Sequence, residues 1–131
     1  RLMNGPPLKT TRHSVISELW DVVVVPFPFT ERADTKRRPA LALSTTAFNE
    51  SGHTVLAMVT STTHPPWPGD TDIDAREPAG LTTPCMIRLK IFTLDNRLIL
   101  KKIGCLSPAD RSRVAEQICR YLPVEDNDRH A

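Results

Sequence analysis

Apolar positions fall in short β-type groups along most of the chain and take a helical period only near its end. Residues 22–25 are four consecutive valines, a β-branched run suited to a strand buried on both faces. Pro26 and Pro28 stop it, on either side of Phe27. Residues 30–37 are polar and basic without periodicity, so a loop is expected there. Pro39 biases Arg38 towards extended backbone, and residues 40–44 read as a second strand. A third strand is expected over 54–60, with Val55, Ala57 and Val59 on one face and Leu56, Met58 and Thr60 on the other. After a loop over 61–69, residues 70–74 suit a short edge strand whose carboxylates discourage further pairing. A turn at Pro78-Ala79-Gly80 precedes residues 85–92, where Cys85, Ile87, Leu89 and Ile91 alternate with Met86, Arg88, Lys90 and Phe92. Residues 98–104 read as a further strand.

The period then changes. Val114, Ile118, Tyr121 and Leu122 recur at helical spacing. Ser107 is placed to cap this helix, Pro108 to occupy its first position, and Asp110 to complete a capping box in place of the usual Glu. Pro123 stops it. Many short strands followed by one helix predict a mainly β fold with a C-terminal α-helix, a small antiparallel barrel or strongly curved sheet.

Composition narrows the chemistry. The 131 residues suit one domain, and with aromatics at 5% the core must be filled by Val, Leu and Ile. Twelve prolines favour short strands and irregular loops. A net charge of +2 does not by itself indicate nucleic acid. The charges are grouped, however. Arg32, Lys36, Arg37 and Arg38 form one basic set, Arg88 and Lys90 a second, and Arg97, Lys101 and Lys102 a third. Asp70, Asp72, Asp74 and Glu77, and later Glu125, Asp126 and Asp128, are acidic, so a basic face with an acidic rim is one outcome of folding and ordinary solvated surface another.

Cys85, Cys105 and Cys119 are odd in number and lack CxxC spacing, which argues against a disulfide scaffold and a zinc site and predicts buried free thiols. No apolar run is long enough to span a membrane and no signal peptide is visible, so a cytoplasmic location is expected. An arm over residues 1–17, containing Pro6-Pro7, is expected to be loosely held. A folded domain over 18–123 and an acidic tail over 124–131 follow it.

No HExxH, GxSxG or phosphate-binding glycine loop occurs, and His13, His53, His64 and His130 are scattered. Of these, His64 stands out because its loop follows Thr60 and Ser61 directly. Arg38 lies between a basic loop and an apolar strand, where a planar guanidinium can be aimed at phosphate oxygens. On composition alone a solvent-facing arginine at a strand start is the better explanation. Thr60 at a strand end is by itself ordinary β-propensity, and Arg88 with Lys90 either lines a groove or forms a solvated face.

Taken in order, the segments resemble the MazF/PemK (Kid) family of toxin–antitoxin toxins. Residues 21–29, DVVVVPFPF, resemble its opening GD(I/V)xxxPFPF, and residues 38–44, RPALALS, resemble RPALVLS. Met58-Val59-Thr60-Ser61 resembles the end of its ITS strand, and Gly69-Asp70-Thr71-Asp72-Ile73 with Ala79-Gly80-Leu81 its next strand and turn. Ile87-Arg88-Leu89 and Phe92-Thr93-Leu94-Asp95 resemble VRLDKLFTLD, and Ile103-Gly104-Cys105-Leu106-Ser107 leads into the helix. The likeness spans about residues 19–122.

This resemblance implies a small SH3-like (PemK/CcdB-like) antiparallel β-barrel and a homodimer. It further implies a metal-independent, cofactor-free endoribonuclease that cleaves single-stranded RNA at preferred sequences and is blocked by a cognate antitoxin protein. Arg38 and Thr60 match the family's catalytic arginine and threonine. With RNA as substrate, Lys36, Arg37, Arg88 and Lys90 become candidate phosphate contacts, and Ser61 and His64 candidate groove contacts. The implied reaction is attack of a ribose 2′-OH on the adjacent phosphate, leaving a 2′,3′-cyclic phosphate and a 5′-OH.

Three positions depart from the pattern. Trp20 replaces the glycine before Asp21, so the entrance to that strand is expected to differ. Lys90 stands where one branch has an aspartate proposed as base. The His64 loop is proline-rich, so base recognition is expected to differ. Two other functions fit the same fold: a gyrase poison, against which the Leu122-Pro123 helix end without tryptophan weighs, and a barrel that binds RNA or antitoxin without cutting.

Overall fold

Four valines in a row cannot hide on one side of a strand, and the fold buries both sides of theirs. The strands are β1 (Asp21–Pro26), β2 (Arg37–Ala42), β3 (His53–Ser61), β4 (Thr71–Asp72), β5 (Cys85–Asp95) and β6 (Lys101–Cys105). They form one antiparallel sheet in the order β4-β5-β3-β2-β1-β6, curled into a half-barrel. The structure, a computed structural model, describes residues 15–26 and 36–124. The expected N-terminal arm up to residue 14, Phe27, Pro28, most of the basic loop and the acidic tail from Glu125 lie outside the described residues.

The expected alternation holds on both sides of the sheet. Val22, Leu41, Ala57, Val59, Cys85 and Ile87 face one core, which the helix α2 (Pro108–Tyr121) closes with Val114. Val23, Val25, Ala40, Ala42, Leu56 and Leu94 face a second, with Ile99. Between Ala57 and Met58 the β3–β5 register shifts, so that Leu89 and Lys90 bulge out of the ladder. Both edge strands are blunted: β4 has two residues, and β6 begins with exposed Lys101 and Lys102.

Several boundaries differ from the sequence reading. β2 begins at Arg37 and ends at Ala42, not at residues 40 and 44. Its early start comes from pairing with β1, Arg37 with Pro26 and Arg38 with Val25. Residues 98–104 are not one strand: a 3-10 turn (Asn96–Leu98) comes first, and β6 starts at Lys101. Buried Asn96 fixes that turn by donating to Asn49 O (2.6 Å) and accepting from Thr54 Oγ1 (2.7 Å). A short helix, α1 (Thr46–Asn49), was not anticipated; Asn49 ties it down by donating to Ser17 O (2.7 Å) and Ser44 O (3.1 Å).

The cap of α2 is half of what was expected. Ser107 Oγ accepts from Asp110 N–H (3.2 Å), as a cap should. The Asp110 carboxylate does not take up the Ser107 backbone N–H, as a full capping box would. It accepts instead from the N–H groups of Asp74 (3.2 Å) and Ala75 (3.0 Å) and pairs with Arg113, tying the helix to the segment after β4. Burial alone would raise this carboxyl, but those N–H groups, Arg113 and Ser107 outweigh it and hold it below the ordinary carboxylate range. Tyr121 and Leu122, expected on the buried stripe, are about half exposed. Cys119 is exposed, contrary to the expectation of a buried thiol, because its helix face looks outward; Cys85 is buried and Cys105 half-buried. Among the described residues no helix is long and apolar enough to cross a membrane.

Candidate active site

One missing hydrogen atom opens the site. Backbone groups along β2 point alternately to β1 and to β3. Leu43 N–H, just past the strand, donates to Val55 O of β3 (2.8 Å), so the groups of Leu41 and Pro39 point at β3 as well. Pro39 has no N–H to give, and the β2–β3 register ends at Ala40–Met58, one residue short of it. Beyond that point β2 stays with β1, and β3 stays with β5 through Thr60–Met86 and Ser61–Cys85. The sheet therefore splits at its centre.

A pocket of about 360 Å³ fills the split. Arg37, Arg38 and Pro39 line one side, Val59, Thr60 and Ser61 the other, and Gly80 to Thr83 with Ile103 the far wall. Continuing the β2–β3 register by two residues sets Arg38 across from Thr60. Strand alternation puts both side chains on the face of Ala40, Ala42 and Leu56, while the neighbouring Val59 shares the other face with Leu81 and Ile103, so the pair flanks the pocket at the edge of the split. The two residues singled out in the sequence both line this cavity, Arg38 half-buried and Thr60 buried at 7% exposure.

The far wall depends on Gly80. Its φ is +76°, and a Cβ there would lie 2.1 Å from Ile103 O. Only glycine lets the 76–80 turn lie this close to β6. Thr82 and Thr83 on this wall were not recognised as pocket residues in the sequence. Only the β3–β5 register brings them there, with Thr62 N–H donating to Pro84 O (3.4 Å) at its open end, and no spacing in the sequence signals it.

The other candidates sit differently. His64 is exposed and outside the pocket lining, but its Nδ1 lies 3.1 Å from Thr60 Oγ1 and 3.2 Å from Ser61 O. The Ser61 hydroxyl is engaged in its own turn, accepting from Thr63 N–H (3.2 Å) and lying 3.0 Å from Thr63 Oγ1. Lys36 is exposed just ahead of Arg37. Lys90 is exposed, its Nζ 5.3 Å from the centroid of the Trp67 ring. Arg88 is buried, not displayed in a groove. Nε and Nη2 grip Asp70 (3.1 and 3.0 Å), and Nη2 also donates to Pro65 O (2.6 Å), so both ends of the loop from 65 to 70 hang on one guanidinium.

At the strand entrance, Trp20 has φ of 77°, a conformation favourable to glycine and strained for a bulky residue. Its N–H donates to Ala42 O (2.9 Å) and its carbonyl accepts from Leu106 N–H (3.0 Å), which holds it there. Next to it, buried Asp21 accepts from Glu18 N–H (2.9 Å) and pairs with Lys102 (3.2 Å), whose ammonium is held above the ordinary lysine range by that bond. Among the described residues no three His, Cys, Asp or Glu side chains converge as metal ligands would.

A sequence model of the PemK-like, MazF-like toxins of type II toxin–antitoxin systems matches residues 18–122. A search among curated proteins finds no match. Among solved structures, a MazE–MazF complex from Deinococcus radiodurans is similar at 21% identity and a TM-score of 0.67, covering 85% of this chain and 100% of that one. An endoribonuclease in complex with its cognate antitoxin from a mycobacterial species matches at 16% identity and TM-score 0.65, over 85% and 97% of the two chains. The Mycobacterium tuberculosis toxin MazF-mt6 matches at 18% and 0.64, over 81% and 99%. At these identities the structural likeness speaks for the fold.

Proposed function

Because the chain belongs to the PemK-like, MazF-like toxin family of type II toxin–antitoxin systems, we propose that it is an endoribonuclease acting on single-stranded RNA, with Arg38 and Thr60 as its catalytic pair. The observation that carries this reading is their shared pocket, at the point where Pro39 lets β2 and β3 part. The endoribonucleases among the structural neighbours support it at the level of the family.

The reaction needs a phosphate held while a neighbouring hydroxyl attacks it. The ribose O2′ forms a bond to phosphorus, the bond to O5′ breaks, and the 2′-OH proton leaves to solvent while O5′ gains one. The products are a 2′,3′-cyclic phosphate and a 5′-OH, and DNA, lacking the attacking group, is spared. Arginine keeps its charge throughout the physiological range, so Arg38 serves as an electrostatic clamp on the oxygens that gain charge in the phosphorane. Thr60 contributes a hydroxyl donor to the same oxygens. Lys36, Arg37 and Lys90 lie exposed, where they can meet the flanking phosphates.

The decisive experiment is cleavage of single-stranded RNA by the purified chain in EDTA, with mapping of the new ends. Arg38→Ala should cut at least ~10²-fold more slowly at unchanged melting temperature. Full activity in that variant, or dependence on added metal, would overturn the reading. Homodimerisation and inhibition by a small antitoxin with an acidic segment belong to the same proposal. Light scattering and co-purification with the product of a neighbouring gene test them.

A further inference from the structure

His64 and Thr60 are four residues apart, one in a loop and one at a strand end, and their polar atoms meet at 3.1 Å. The same Nδ1 lies 3.2 Å from the carbonyl oxygen of Ser61. A carbonyl can only accept, so the nitrogen between these two oxygens must carry a proton for both contacts to be favourable. With hydrogen on Nδ1, the Thr60 oxygen is an acceptor in this contact and keeps its own proton for another partner. With the other tautomer, Thr60 would spend that proton on the imidazole, and the bare nitrogen would face the Ser61 carbonyl, lone pair against lone pair.

The surroundings hold the ring in this position. Ser61 O also accepts from the His64 backbone N–H (3.3 Å), closing the turn that brings the ring back over the strand end. The next residue, Pro65, is anchored through its carbonyl by Arg88, which is itself fixed on Asp70. Thr60 is buried while His64 is exposed.

We infer that His64 is a positioning residue for Thr60. Its Nδ1–H donates to Thr60 Oγ1 and turns the threonine hydroxyl into a donor for an anionic ligand held at the split between β2 and β3, a phosphodiester. This deepens the ribonuclease reading and rests on it. No bond is made or broken at the imidazole, and the ring need not touch RNA.

Asparagine and glutamine separate the two ring nitrogens, because the Asn amide N–H can stand where Nδ1–H is and the Gln amide reaches where Nε2 is. In single-turnover cleavage of a single-stranded RNA, His64→Asn should stay within about threefold of the parent. His64→Ala and His64→Gln should lose about tenfold, in kcat and not in KM, the scale of one oriented hydrogen bond. In a Thr60→Val background the His64 variants should no longer differ, since there is no hydroxyl left to orient. Unchanged activity in His64→Ala, or retention by Gln and loss by Asn, would overturn the proposal, as would loss that persists at full size without the threonine hydroxyl. Because His64 is exposed, melting temperatures should not move. Nitrogen NMR of the full chain, with His64→Gln as the assignment control, should show His64 protonated at Nδ1. The Nε2–H tautomer would refute the hydrogen bond whether or not RNA is cut, so this arm separates failure of the proposal from failure of the ribonuclease reading.

Discussion

Trp20 occupies a left-handed backbone conformation in which an L side chain costs roughly 1–2 kcal/mol. Two backbone hydrogen bonds and packing of its indole against the Leu106 core offset that cost. Glycine fits the backbone but loses the packing, while alanine loses the packing and keeps the strain. Trp20→Gly should therefore be less damaging than Trp20→Ala, by about 0.5–1 kcal/mol, inverting the usual order for the two residues. Urea unfolding of the two variants tests this, and an alanine variant as stable as glycine would contradict the strain. Arg88 makes a comparable point about charge. A buried guanidinium committed to Asp70 and Pro65 has little left for phosphate. Arg88→Met should be destabilising by about 3 kcal/mol through the orphaned Asp70 and should leave the salt dependence of RNA affinity unchanged. Lys36→Met or Lys90→Met should be nearly neutral to stability and should lower that salt slope by about 0.7 each. Measuring RNA affinity across a salt series distinguishes the two kinds of cation.

At the scale of elements, the split between β2 and β3 rests on a proline. In Pro39→Ala the restored N–H can reach Val59 O and extend the ladder by one step. The variant should gain about 0.5–1.5 kcal/mol of stability and lose cleavage, because the added pairing draws together the strands that bear Arg38 and Thr60. Thermal melting and RNA cleavage measured side by side check it; higher activity in this variant would count against the split as the origin of the site. The tie between α2 and the segment after β4 has a pH signature. The Asp110 carboxyl titrates lower in the folded chain than in the unfolded one. Its contribution is thus complete above the unfolded value, about 3.9, and is lost as pH falls through the folded value. Asp110→Asn should be clearly less stable than the parent near neutrality, and the gap should narrow below about pH 4, as chemical denaturation at several pH values would show.

Across the whole molecule, strand positions were legible because side-chain alternation is a local property. Val55, Ala57 and Val59 against Leu56, Met58 and Thr60 had to face opposite ways wherever the strand lay. The helix was legible for the same reason, from its serine cap and its Val114–Ile118 spacing. What was missed depended on distant partners. α1 is too short to show a period and is held by Asn49 bonding to Ser17. The 3-10 turn interrupting residues 98–104 follows from Asn96 reaching Thr54, 42 positions away. Asp110 looked like half of a capping box, and only folding brought Asp74 and Ala75 to its carboxylate instead.

The sequence alone determined which residues alternate, where the helix begins, and that a proline follows Arg38, because each depends only on near neighbours along the chain. It also carried the ordered motifs through which the family can be recognised. Only the tertiary structure decided which cations stay available and which hydroxyl gains a partner. Arg88 and Lys90 are two residues apart and equal in formal charge, yet one is buried on Asp70 and the other exposed. The desolvation and pairing that separate them arise from residues brought together by strand register, and a linear spacing does not encode that.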